Sequence, residues 1–374
     1  MFKEKYLPKI HWFLRFVIVI FCLALMWFFI AYIIPNILPV KNVSNTSKFG
    51  FVSRNEIWSG DIKIIGDIWA LPGTTVTIAP GTRVLIADHG DRSNMHFFPA
   101  DLRSGLNTKE ESFGVRNGEL FWDEGQKISL SFAKLYAIGT KQQPIIIKSD
   151  VLYPPSPYDF NLFSMGSGIF SNVRMSNYRR FQIGSDVSVR DSEFKNVAEC
   201  SICVEYDTKP TIVNNLFENS LREYILIEGA SPKISDNWFM ASKGKGIVVD
   251  PKTIGTPLIY YNNFEMPGQI AIEFLGGAED NGGAISFNNF AGASIIQIPC
   301  DSKVKLNQNL IKGVIKFSHS GNCVGDFIIG SNYWQTTDKK AILNEKIVDK
   351  EKGFNVLLPS ILKNDSQVQV GKRN

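Results

Sequence analysis

The sequence predicts an all-β solenoid, a stack of coils built from short parallel strands, and three observations predict it. The first is a phrase that recurs six times: Asn214-Asn215-Leu216-Phe217, Asp236-Asn237-Trp238-Phe239, Asn262-Asn263-Phe264, Asn288-Asn289-Phe290, Gln308-Asn309-Leu310 and Ser331-Asn332-Tyr333-Trp334. The second residue of each phrase serves as marker, giving the series Asn215, Asn237, Asn263, Asn289, Asn309 and Asn332. Successive markers are spaced by roughly 20 to 26 residues, and Ser192 holds the same place one period before Asn215. A period near 23 that tolerates extra residues belongs to stacked repeats whose loops bulge outward. The second is the run between markers, such as Ser201-Ile202-Cys203-Val204, Tyr224-Ile225-Leu226-Ile227 or Gly246-Ile247-Val248-Val249. These β-branched runs are bounded by Gly, Pro, Asn or Asp and are too short for helices. The third is the chemistry of the marker. Asn tolerates left-handed backbone, and its amide can bond the same Asn one coil away as a structural ladder.

Taken in chain order, residues 1–15 are a basic leader with Lys3, Lys5, Lys9 and Arg15. Phe16 to Ile34 then runs without a single charge, long enough for a transmembrane helix. The basic leader places the N-terminus in the cytoplasm and the remainder outside, a single-pass arrangement with membrane lipid as partner. A cleaved signal peptide is the rival; the apolar stretch is long for one, and no small-x-small site follows it. Residues 35–56, polar and without periodicity, read as a linker. The solenoid is expected over 57–334 with about ten coils, on the order of 50 Å at ~4.8 Å per coil. Residues 88–125 interrupt it, and 335–374 form a C-terminal cap and tail.

Phrases early in the chain resemble the first coils of the right-handed parallel β-helix repeat proteins of the pectate-lyase-like superfamily. They are Trp58-Ser59-Gly60-Asp61, then Pro72-Gly73-Thr74-Thr75-Val76-Thr77-Ile78-Ala79-Pro80-Gly81-Thr82, and Leu135-Tyr136-Ala137-Ile138-Gly139-Thr140 leading to Gln143-Pro144-Ile145-Ile146-Ile147. Asn332-Tyr333-Trp334 with Thr336-Thr337-Asp338 is similar to the family's ending, with Gln335 where Gly is common. The resemblance covers roughly residues 57 to 350 and implies the right-handed fold. For activity it implies little, because enzymes, sugar binders and surface proteins share the scaffold. The Asn-Thr-Asp, Asp-Asp and Gly-His-Gly strings of polygalacturonase-like proteins are absent. So are the Asp-Pro-His-Asp of alginate-epimerase-like ones and the Arg-x-x-Pro-x-x-Arg of the pectate-lyase kind.

Only four His occur, His11, His89, His96 and His319, and no triad, phosphate loop or paired-His metal spacing can be assembled from them. The net charge of +4 over 374 residues, with no Lys/Arg cluster among aromatics, gives no argument for nucleic acid. Cys300 and Cys323 occupy equivalent positions one period apart and are candidates for a disulfide between coils. Cys200 and Cys203 read as buried thiols or a local bridge.

Two features carry functional expectations. Glu205, Glu228, Asp250 and Glu273 recur once per period, each ending a strand-like run, which predicts a column of carboxylates ~4.8 Å apart. Such a column calls for Ca²⁺, a glycan, or the following Lys209, Lys233 and Lys252 as partners. The interruption holds His96 and Trp122, suited to sugar stacking or to capping the first coils. Together these give a membrane-anchored extracytoplasmic protein that binds a polysaccharide or scaffolds a surface assembly without catalysis. A polysaccharide lyase or glycoside hydrolase, and a structural or adhesive rod, are the alternatives.

Overall fold

The structure is a computed structural model that describes residues 7–371 apart from 87–112, 117–118, 123–126, 130–132, 150–158, 163–166, 206, 251–254, 277–281, 293, 319–324, 349–353 and 365–370. Among the described residues thirty strands join in one sheet wound on itself, and every pairing within it is parallel, as coiling in one direction requires. One register column can be followed from end to end: Phe51, Trp69, Ser129, Asn161, Gln182, Cys203, Leu226, Val248, Glu273, Gln297, Lys316 and Val348. Eleven steps at ~4.8 Å make a rod on the order of 50 Å long.

Alternation puts one side chain in two inside the coil, where like stacks on like. Phe194, Phe217, Phe239, Phe264 and Phe290 are fully buried and lie ring over ring, with centroids 5.2, 4.8, 4.7 and 4.9 Å apart. Offset aromatic contacts of this kind add to the burial of each ring.

The Asn ladder exists, but through different residues in two coils. It runs Asn215, Asn237, Asn262, Asn288, Asn309, Asn332, all at most 1% exposed. Each Nδ2 donates to the Oδ1 of the next at 2.9–3.1 Å. The same Oδ1 accepts the backbone N–H of the preceding Asn. Asn263 and Asn289, expected as rungs, instead pair with each other in a strand one position later and are only half-buried. The buried aromatic decides the register: the true rung stands two residues before Phe217, Phe239, Phe264 and Phe290. Ser192 does cap the series, its N–H donating to Asn215 Oδ1 at 3.0 Å.

The left-handed backbone expected at the rung sits one residue earlier, at Asp191, Asn214, Asp236, Tyr261, Phe287 and Gln308. A second ladder escaped the sequence reading. Asn177, Asn196 and Asn219 are all left-handed, and their amides bond from coil to coil at 3.1 and 2.7 Å.

The ends differ from expectation. Residues 35–56 are not a linker: strand β1 (Lys41–Val52) lies parallel on β2 (Glu56–Ala70) as the first coil. Its inward residues Val43, Lys48 and Val52 are buried, while the exposed polar run from Ser44 to Ser47 and left-handed turns at Asn45 and Gly50 hide the period. Lys48 is stabilised inside by Glu56 at 2.8 Å, and Trp58 Nε1 donates to the same carboxylate. At the other end Ile347–Val348 pairs with Ile315–Lys316, and Phe354–Leu357 pairs with Gly325–Ile328, so stacking continues past Trp334. The interruption contains an antiparallel hairpin of Phe113–Arg116 with Glu119–Trp122.

Before the first coil, α1 (Leu7–Phe28) gives way to a π turn at Phe29–Ile33 and a short α2 (Ile34–Ile37). Among the described residues no helix is long and apolar enough to cross a membrane. The apolar stretch expected as one spanning helix is instead divided at Phe28.

Candidate functional site

The strands Glu223–Glu228, Lys245–Asp250 and Ile270–Phe274 stack side by side and present their outward residues to a cleft of about 460 Å³. Glycine brings the coils together there. A Cβ on Gly244 would overlap the Arg222 carbonyl oxygen, and one on Gly246 would overlap that of Ala271. The alternation Lys243-Gly244-Lys245-Gly246 thus packs backbone on backbone and leaves both Lys at the rim.

The floor is the register column Leu226, Val248, Glu273. Glu273 is 4% exposed, bonded by the Lys245 ammonium and by Gln297 Nε2 at 3.0 Å. On the wall, Glu223 registers with Lys245 and lies 3.4 Å from Arg222 Nε. Burial raises the Glu223 pKa above the ordinary carboxylate value, and the nearby Glu199 pushes the same way; Arg222 and Lys245 offset part of this. Glu199 itself is held by Arg179 at 2.8 Å and Arg180 at 3.9 Å. Along this flank Arg179 and Arg180 hold Glu199, and Arg222 and Lys245 flank Glu223. Behind it, burial pushes the Tyr224 hydroxyl up to about 12, while it donates to the Met240 carbonyl at 2.9 Å.

The expected carboxylate column is broken. Glu228 and Asp250 are in register and both line the cleft, but Glu273 stacks on Val248, two positions away from Asp250. The coil from Ile247 to Ile272, which carries residues 251–257, is longer than the one from Ile225 to Ile247, so equal spacing in sequence did not give equal register. Glu205 ends its strand by donating its N–H to the Ile183 carbonyl at 2.8 Å and does not line the cleft. Glu273 pairs with Lys245, and Lys252, which follows Asp250, lies outside the described residues. Among the described residues no three His, Cys, Asp or Glu converge on a metal position.

His96 lies outside the described residues, and Trp122 belongs to the hairpin strand Glu119–Trp122. Cys200 and Cys203 form a disulfide on the same face as the cleft, with Cys203 in register with Leu226. Cys300 is disulfide-bonded, and Cys323, its expected partner, lies outside the described residues. Sequence reasoning missed Arg222, Glu223 and Lys245. That Lys245 follows Glu223 by one coil was the available signal.

Residues 158–290, which include every residue lining this cleft, match a family model described as the right handed beta helix region. The fold is accordingly a right-handed parallel β-helix. No curated protein and no solved structure matches the chain.

Proposed function

We propose that the protein is a membrane-anchored, extracytoplasmic β-helix that binds a polysaccharide along the cleft between Glu223 and Glu273. The observation that carries the reading is the cleft itself: an open trough that crosses successive coils and offers Arg222, Glu223, Glu228, Lys243, Lys245 and Asp250 at its walls and rim. A polymer laid along the rod meets a new set of donors and acceptors at each coil, ~4.8 Å further on. Mixed charges give orientation and specificity to such a ligand more than raw affinity.

Anchoring is supported by α1. Its large apolar side chains from Trp12 to Phe28 are 43–70% exposed, a surface far larger than a water-facing helix carries. The π turn continues the helical path from α1 into α2, with the Ile34 N–H donating to the Phe29 carbonyl, so the chain stays helical from Leu7 to Ile37, the backbone form a lipid environment favours.

The test is a glycan array probed with the detergent-solubilised full chain, in parallel with Arg222→Met and Lys245→Met. Binding to a defined acidic or neutral polysaccharide, weakened at least several-fold by either substitution, is expected. Binding that both variants keep undiminished would place the ligand elsewhere. The raised pKa of Glu223 favours a second reading, acid–base cleavage of the bound chain. New reducing or unsaturated ends that vanish with Glu223→Gln would identify it.

A further inference from the structure

The first coil and the start of the second carry a belt of apolar side chains, where the other described coils are mostly polar outside. Val40, Phe49, Phe51 and Ile57 are 51, 50, 46 and 37% exposed, and Ile37 and Leu38 continue the belt toward the helix at 71 and 39%. These residues are spread around the coil rather than gathered on one side: Ile57 lies under Asn42 on the early part of β1, and Phe51 lies over Trp69 at its far end. Among the described residues β1 pairs only with β2, so it forms the end of the stack.

We propose that this first coil is a lipid-docking collar seated in the headgroup layer of the membrane, so that the rod stands with its coil axis near the membrane normal. The inference rests on the anchored reading above but does not follow from it, since a flexible tether would anchor the chain equally well. Three features carry it. Only Leu38, Pro39 and Val40 separate α2 from β1, a reach of at most ~14 Å over the four steps from Ile37 to Lys41. A belt around the coil fits an upright rod entering a surface, whereas a rod lying flat would be apolar along one side. The place of β1 at the end of the stack sets the depth: the polar backbone of an end strand suits headgroups and their water rather than acyl chains.

The consequence is a fixed height for the cleft. From Phe51 to Leu226 the register column takes six steps, which puts the cleft on the order of 30 Å above the collar.

The test uses the full chain reconstituted in phosphatidylcholine/phosphatidylglycerol vesicles, with a fluorescent amino acid placed singly at position 19, 49, 57 or 328. Quenchers are attached to the lipid near the headgroup or deep in the acyl chain. The collar predicts quenching at 49 and 57 by the shallow quencher above the deep one, none at 328, and quenching at 19 by the deep quencher. Quenching at 19 with none at 49 or 57 would overturn the collar and leave the anchor standing. No quenching at 19 would overturn both. The variant Phe49→Ser/Phe51→Ser should lose the quenching at 57 while resisting carbonate extraction as the parent does. Energy transfer between donor- and acceptor-labelled copies at position 49 that persists on dilution into excess lipid would mean that a second copy covers the belt, and would overturn the proposal.

Discussion

The ladder corner and the cleft face are cut from the same coils, yet they treat repetition in opposite ways. At the corner six successive coils place the same residue, Asn, on the same bonds, buried and without variation. On the cleft face the corresponding positions change from coil to coil, Leu226, Val248, Glu273, Gln297, Lys316. Stacking rewards identity where side chains must satisfy one another, and it permits divergence where they face a ligand or solvent. Structural demand is therefore read in what repeats, and the candidate site in what departs from the repeat.

Four substitutions probe that contrast. Phe264→Ala removes the middle of the ring stack between Phe239 and Phe290 and should cost about 3–5 kcal/mol by denaturant titration, the range for emptying a buried aromatic position. Asn262→Ala leaves the Asn237 N–H and amide without their acceptor and the Ile234 and Tyr260 carbonyls without a donor. It should cost about 3 kcal/mol, the upper part of the range for stranding a buried polar group.

Glu223→Gln tests the cleft through pH. The carboxyl binds its proton more tightly folded than unfolded, so the native state loses stability as pH rises from the unfolded value near 4.5 through the raised folded one. The variant lacks that loss. Its melting temperature relative to the parent should therefore climb across the same window and be flat below it. Asn263→Ala, one residue from the buried rung, should change stability by less than about 1 kcal/mol, because it gives up a half-exposed amide contact. If it proved as costly as Asn262→Ala, the assignment of the ladder would be wrong.

The sequence made the solenoid legible because its period is carried by pairs of large and polar residues that survive loop-length changes, such as Asn237 with Phe239. It was ambiguous where Asn is doubled. At Asn262-Asn263 and Asn288-Asn289 only the distance to the next buried ring separates rung from neighbour, and that ring becomes identifiable through stacking. The cleft was legible in part: Glu228 and Asp250 are there, while Glu273 came by another register and Glu205 stayed outside. Register depends on the summed length of every turn between two strands, and one longer coil before Glu273 was enough to shift it by two positions. The first coil was overlooked because β1 carries Lys48 on its inner face, a residue that reads as solvent-facing until Glu56 is placed beside it.

The ladder from Asn215 to Asn332 also gives its own corner of the rod an electrical direction. Every Nδ2 from Asn215 to Asn309 points toward the C-terminal neighbour and every accepting Oδ1 toward the N-terminal one, so the amide dipoles add head to tail like links in a magnetised chain. Bonds aligned this way polarise one another. An interior link is then worth more than a terminal one, and damage at Asn262 should be felt several coils away, whereas the same damage at Asn332 would merely shorten the chain.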